Sequence, residues 1–371
     1  MAATGVKKHT HEPAITIAKR DDMPGWKAWL IRLAAIVIGF LLMGFVSVLL
    51  TKVSLGEVFG MMFRGAFGRL FEGGSATMLW KFLQETAILL CLTLAVTPAF
   101  KMKFWNCGAE GQALMGGLGA MICMLELNGV ASWLHTLLAV VVGVVFGMIW
   151  GLIPALFKAW YDTNETLFTL MMNYVATQLV AYYVLVASKG LTVIRPVDTG
   201  ALPVIGNQKY LLNILVVTVI VVLSYFYLKY SKQGYEIAVV GESQNTARYI
   251  GINVKKVIIR TMCISGAIAG LAGVLLVAGT NHSIKTDTIG GLGFTAIMVS
   301  WLGLFNPYIM AAMSALVVFL NIGAAKVADS FFLNSSYADI VAGVVILFVV
   351  GCEFFIRYSV KFRHTKKEVR S

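Results

Sequence analysis

The sequence predicts an all-α, polytopic membrane protein of about ten transmembrane helices, with two inverted repeats and Gly-rich broken helices. Three observations carry that class. Of 371 residues, 58% are hydrophobic and only 13% are charged, with a mean hydropathy of +0.81, above the range of ordinary globular domains. Apolar windows of about 18–25 residues recur along the chain, the length a helix needs to cross about 30 Å of hydrocarbon. Glycines crowd two of these windows at matching places in the two halves of the chain.

The elements follow in order. Residues 1–27 form a basic tail without the small-residue cleavage site of a secretory signal, and are expected to be retained on the cytoplasmic side. Crossings are expected at 28–50, 82–99, 132–157, 165–187, 211–228, 258–280 and 338–357, with three more windows, Gly-rich or crowded, at 110–127, 288–304 and 307–325. An even count places the basic tail 358–371 on the same side as the N-terminus. The transmembrane body is then 28–357. Basic residues concentrate on the segments this topology puts inside, which accounts for most of the net charge of +12 and makes membrane lipid the expected partner of that charge rather than nucleic acid.

Cysteine and histidine exclude other classes. Cys91, Cys107, Cys123, Cys263 and Cys352 are odd in number and lie in or beside spans, where a thiol is a small apolar filler. His9, His11, His135, His282 and His364 are scattered without metal-ligand spacing, so no metal and no cofactor are expected on this chain. No phosphate-binding loop, nucleophile elbow or paired helical carboxylates are present, so no catalytic residue is assigned.

A membrane protein without covalent chemistry is a conduit, and its informative residues are polar ones at membrane depth. Asn106, Glu110 and Gln112 in WNCGAEGQALMGGLGA, with Thr169 and Asn173 in TLFTLMMNYVATQ, are the candidate translocation-pathway residues. Glu110 has a second expected role, holding a broken helix by accepting backbone N–H bonds. No chain of buried Asp, Glu and His is available to relay protons, and no carboxylate cage to hold sodium, which argues against an ion-coupled secondary transporter and favours an energy source outside the chain.

The Gly-rich pieces, Gly108 to Gly119 and Gly290 to Gly303, are each the second element of a four-element block, at 82–187 and 258–357. Between equivalent helices the offset is five elements. An odd offset reverses direction, so the repeats are expected to be inverted. Residues 229–257 form the longest inner loop. Within NTARYIGINVKKV, Ala247, Ile250 and Val254 share a helical face, with Asn245 available as a cap. Gly241 and Gly251 bracket this short helix, Glu242 lies near its N-terminal end, Arg248 is displayed from its body, and small Ala247 is expected at the closest approach of a partner.

Several stretches resemble one family. WNCGAEGQALMGGLGA is similar to the F-N-I-G-A-E-G-Q motif of ABC importer permeases of the branched-chain amino acid and simple-sugar group, with Trp105 and Cys107 in place of Phe and Ile. YEIAVVGESQNTARYIGIN resembles that group's cytoplasmic coupling loop, with Gln244 where Pro is common. ETLFTLMMNYVA and SLGEVFGMMFRGAFG resemble the subgroup of nucleoside-type permeases. The resemblance covers residues 30–357. It implies a non-catalytic permease subunit in the inner membrane of a prokaryote, with both termini cytoplasmic. A second permease, identical or related, would complete the pathway. A cytoplasmic ABC ATPase subunit carrying the ATP would dock on Gly241, Glu242, Asn245, Ala247, Arg248 and Gly251, and an extracytoplasmic binding lipoprotein or periplasmic protein would deliver a nucleoside, a simple sugar or a riboflavin-like ligand.

Overall fold

The computed structural model describes residues 15–20, 23–68, 76–127, 129–206, 208–334 and 336–362. His9, His11 and His364 lie outside them. The chain is helical almost throughout, in two compact units.

One unit takes residues up to 62 and from 324 onward. Its frame is α1 (Gly25–Thr51) against α13 (Ser336–Arg357). Gly39 lets the backbones close, since a Cβ there would lie 3.2 Å from Val345 Cα. Arg32 Nε meets Glu353 Oε1 at 2.7 Å near one end, and the Ser47 and Tyr337 hydroxyls bond near the other. The two tails, expected on the same side, pair with each other: β1 (Ile15–Lys19) runs antiparallel to β2 (Tyr358–Phe362). A further helix, α2 (Leu55–Phe67), begins in this unit. It was not expected, yet its start is written in Ser-Leu-Gly-Glu. The Glu57 N–H donates to Ser54 Oγ at 3.4 Å and the Ser54 hydroxyl donates to Glu57 Oε2 at 3.1 Å, so Ser54 caps the helix start with its side chain.

The other unit, residues 63–323, holds α3 (Thr77–Lys101), α4 (Ala109–Glu126), α5 (Ser132–Tyr161), α6 (Glu165–Ala187), α7 (Leu211–Tyr230), α8 (Lys232–Glu242), α9 (Gln244–Tyr249), α10 (Val254–Leu276), α11 (Leu292–Leu302) and most of α12 (Pro307–Ser330). The apolar window of α3 is 83% buried and that of α7 only 11%, so α3 is an axis and α7 a flank. Around the axis α4, α5 and α10 touch backbone to backbone. Gly116 lies against Gly270, and a Cβ on Gly147 would come within 2.5 Å of Gly270 Cα and 2.6 Å of the Gly266 carbonyl. Apolar helices gain little from leaving an apolar lipid, so close approach through small residues supplies the attraction instead.

Among the described residues eight helices are long and apolar enough to cross a membrane. The other two expected crossings are the Gly-rich ones. The first, α4, has 18 residues, and α11 has 11 residues, about 16 Å of helix and half a bilayer core. Each of the ten expected windows therefore holds a helix, but ten crossings are not shown. Helix α11 begins only after Gly290 and Gly291, with φ of +63° and +80°.

Candidate functional site

The site begins where α3 stops. Met102 to Gly108 is non-helical, and α4 starts at Ala109 with no side chain on its N-cap, Gly108. A helix start leaves orphan N–H groups that must find partners when buried. Here neighbouring helices supply them. Thr169 of α6 accepts from the Cys107 N–H at 3.1 Å, and Asn173, one turn on, accepts from the Gly111 N–H at 2.9 Å while donating to the Cys107 carbonyl at 2.8 Å. Asn106 folds back to accept from the Gly108 N–H at 3.0 Å. Its amide pairs with that of Gln112 through bonds of 3.3 and 3.1 Å and donates to Ser265 of α10 at 3.1 Å.

Glu110 joins this hinge to the second Gly-rich element. Its two carboxylate oxygens accept from the Gly291 and Gly293 N–H groups at 2.8 and 2.7 Å. Two helix N-termini therefore meet head to head over one carboxylate, whose charge answers the positive ends of both. Gly293 has no alternative here, because a Cβ would collide with the backbone of Glu110. Beside the hinge, Trp105 stacks on Trp301 of α11, with centroids 5.5 Å apart and planes 20° apart. Phe100 meets both rings edge-on.

The inner loop is two helices rather than one. Ser231 caps α8, accepting from the Gly234 N–H at 2.9 Å, and Ser243 caps α9, accepting from the Thr246 N–H at 3.2 Å. Ala247 is buried in one cluster with Ile237 and Val240 of α8, Val254 of α10, and Met102 and Phe104 of the hinge. Gly241 rests on the Lys101 carbonyl, and Arg260 of α10 pairs with Glu236 of α8 at 3.0 Å. The outer face of α9 carries Gln244, Asn245, Thr246, Arg248 and Tyr249, the last 93% exposed. At the turn between α5 and α6, Asp162 bonds to Lys158 at 2.7 Å, which holds its carboxyl below the ordinary range, with Arg248 of α9 acting in the same direction.

Residues 78–350 match the family described as the branched-chain amino acid transport system, permease component. The chain belongs to this family. Relatives of the permease span nearly its whole length. It is 29% identical over 346 residues to a guanosine ABC transporter permease protein of Bacillus subtilis, covering 90% of this chain and 94% of the relative. Against a glucose ABC transporter permease protein of Haloferax volcanii the identity is 28% over 363 residues, with 92% of each covered. A nucleoside ABC transporter permease protein of Lactococcus lactis is 26% identical over 314 residues, covering 80% of this chain and 83% of the relative.

The permease brings Asn106, Glu110, Gln112, Thr169 and Asn173 into one hinge. Their polar atoms hold backbone and one another, and Glu110 holds backbone as expected, at the start of α11 rather than in its own helix. Three details of the loop also differ. Asn245 is not a cap but an exposed residue inside α9, because Ser243, directly ahead of the first helical residue, takes the N-cap. Glu242 does lie beside the start of α9, directly ahead of its N-cap Ser243, but as the last residue of a separate helix, α8. Gly241 and Ala247 are buried, and Ile250 is exposed, so the Ala247, Ile250 and Val254 stripe does not form one face. Ser265, Trp301, Ser243 and Tyr249 entered from the structure. Only Ser243 had a readable signal, a serine directly ahead of a helical run.

Proposed function

We propose that the chain is the transmembrane permease subunit of an ATP-driven importer in the cytoplasmic membrane of a prokaryote, and that its solute is a nucleoside. The observation that carries the solute is the near full-length similarity to a permease named for guanosine. A second reading, a simple sugar, is favoured by the glucose permease relative. Both solutes are hydroxylated rings, small enough for a helical bundle and polar enough to need a conduit.

In this reading a second permease, identical or related, completes the pathway, and a binding protein delivers solute at the outer face. A partner ATPase binds the α9 face around Asn245, Arg248 and Tyr249. Glu242 and Gly251 flank that face. Motion of the ATPase reaches the hinge through packing, since Ala247 touches the cluster that includes Met102 and Phe104 and Gly241 bears on Lys101. The hinge then moves as a unit, because Asn106, Gln112, Thr169 and Asn173 tie it to α6 and α10. The permease contributes no phosphate chemistry; ATP is bound and hydrolysed by the partner.

Uptake of labelled guanosine by cells carrying the complete transporter, challenged with unlabelled nucleosides or glucose, tests the solute. Competition by nucleosides alone is expected. Competition by glucose alone would replace the first reading with the second, and purification without any ATPase would sink the importer assignment.

A further inference from the structure

Resting on the nucleoside reading, we propose that the indole rings of Trp105 and Trp301 are a stacking site for the planar base of the solute as it passes the hinge. The two rings come from the two Gly-rich elements. Trp105 lies in the non-helical stretch ahead of α4, and Trp301 in the last turn of α11. They stack at 5.5 Å and 20°, and Phe100, only 3% exposed, wedges edge-on beneath them at 5.6 and 5.8 Å. Phe305 closes the far side against Trp301 at 5.4 Å. The pair is thus held from below while its outer surface stays free, with Trp105 46% and Trp301 38% exposed.

The location decides what that surface meets. Residues 102–108 are the turn between α3 and α4, which the expected topology puts on the inner side, and Met102 and Phe104 share a cluster with Ala247 of the inner loop. The corner is therefore at the inner end of the helices, where water reaches it and a solute leaves. The hinge polar groups behind it are already committed to backbone, so ring faces are what the corner offers a passing solute. Stacking suits transit: every base has a π-face, the contact needs no fixed register, and its strength is modest. It also makes the site graded, because a two-ring purine covers more indole than a one-ring pyrimidine.

The test is uptake at saturating solute, where capture by the binding protein no longer limits the rate, in cells carrying the complete transporter with Trp105→Leu, Trp301→Leu, Trp105→Phe or Trp301→Phe. The Leu variants should lose roughly tenfold in guanosine uptake and less in uridine uptake, at an unchanged membrane level of the chain. The Phe variants should keep uridine uptake within about twofold and lower the guanosine-to-uridine ratio about twofold. Leu variants that match the wild type, or that lose both solutes equally, overturn the site. Should a Leu variant fail to reach the membrane, the ratio in the Phe variants decides, and an unchanged ratio overturns the site. Wild-type cells that move guanosine while these variants behave alike leave the proposed function standing; wild-type cells that move no nucleoside remove both.

Discussion

Glu110 answers two helix starts with one carboxylate, and its substitution separates charge from shape. In Glu110→Gln one oxygen is replaced by an N–H₂ group that faces a backbone donor, so either Gly291 or Gly293 loses its acceptor. A buried unsatisfied donor costs about 1–3 kcal/mol. The variant complex should inactivate at a lower temperature in detergent and transport more slowly; wild-type heat resistance would show that the clasp is dispensable. Asn173→Ala strips partners from the Gly111 N–H and the Cys107 carbonyl together, so about 2–6 kcal/mol is at stake. Loss of folded chain is the expected result, measured as the detergent-soluble monodisperse fraction, whereas full yield with reduced uptake would return Asn173 to the solute path. These residues were legible in the sequence as a group, because polar side chains amid apolar ones at membrane depth stand out. Their partners were not. Asn173 and Gly111 are far apart along the chain, and only the fold brings the acceptor to the donor.

At the scale of elements, the loop between α7 and α10 shows which part of a pattern carries weight. The sequence located a displayed helix and misassigned its faces, because a six-residue helix offers too few turns for periodicity to fix a direction. Packing decides instead: Ala247 is the buried residue of α9 and joins the cluster that holds Ile237 and Met102. Tyr249→Ala on the exposed face should leave the chain inserted and lower solute-stimulated ATP hydrolysis several-fold. Ala247→Trp should fail earlier, in assembly, because an indole has no space in that cluster. A Tyr249→Ala complex with hydrolysis fully coupled to uptake would move the docking surface elsewhere. The close contact of α5 with α10 was also unread, although small residues recur every fourth position at Gly143, Gly147 and Gly151 and again at Gly266 and Gly270. That spacing signals helix contact, but it names no partner, and several helices here carry it.

For the whole molecule, the class and the order of helices followed from hydropathy because lipid forces every span to satisfy its backbone internally. The shortness of α11 did not, since glycine density marks a break without saying on which side of it the helix survives. Topology is the property that the positive charges specify. In a cysteine-free background, Ser243→Cys should react with an impermeant thiol reagent only from the cytoplasmic side and Asp198→Cys only from outside. Labelling of position 243 in intact cells would reverse the chain in the membrane and take the ATPase surface with it.

The pairing of α1 with α13 sets a timetable for biosynthesis. Helix α1 leaves the ribosome first, yet its Gly39 groove, Arg32 and Ser47 find Val345, Glu353 and Tyr337 only when the last helix arrives. With some 300 residues to be made in between at about 5–20 residues per second, α1 waits roughly 15–60 s for its neighbour. During that interval Glu353 and Val345 have yet to be made, and the backbone groove at Gly39 stands open. A chaperone or insertase that shelters α1 would be needed most in that window, and chains truncated before α13 should be cleared fastest by membrane quality control.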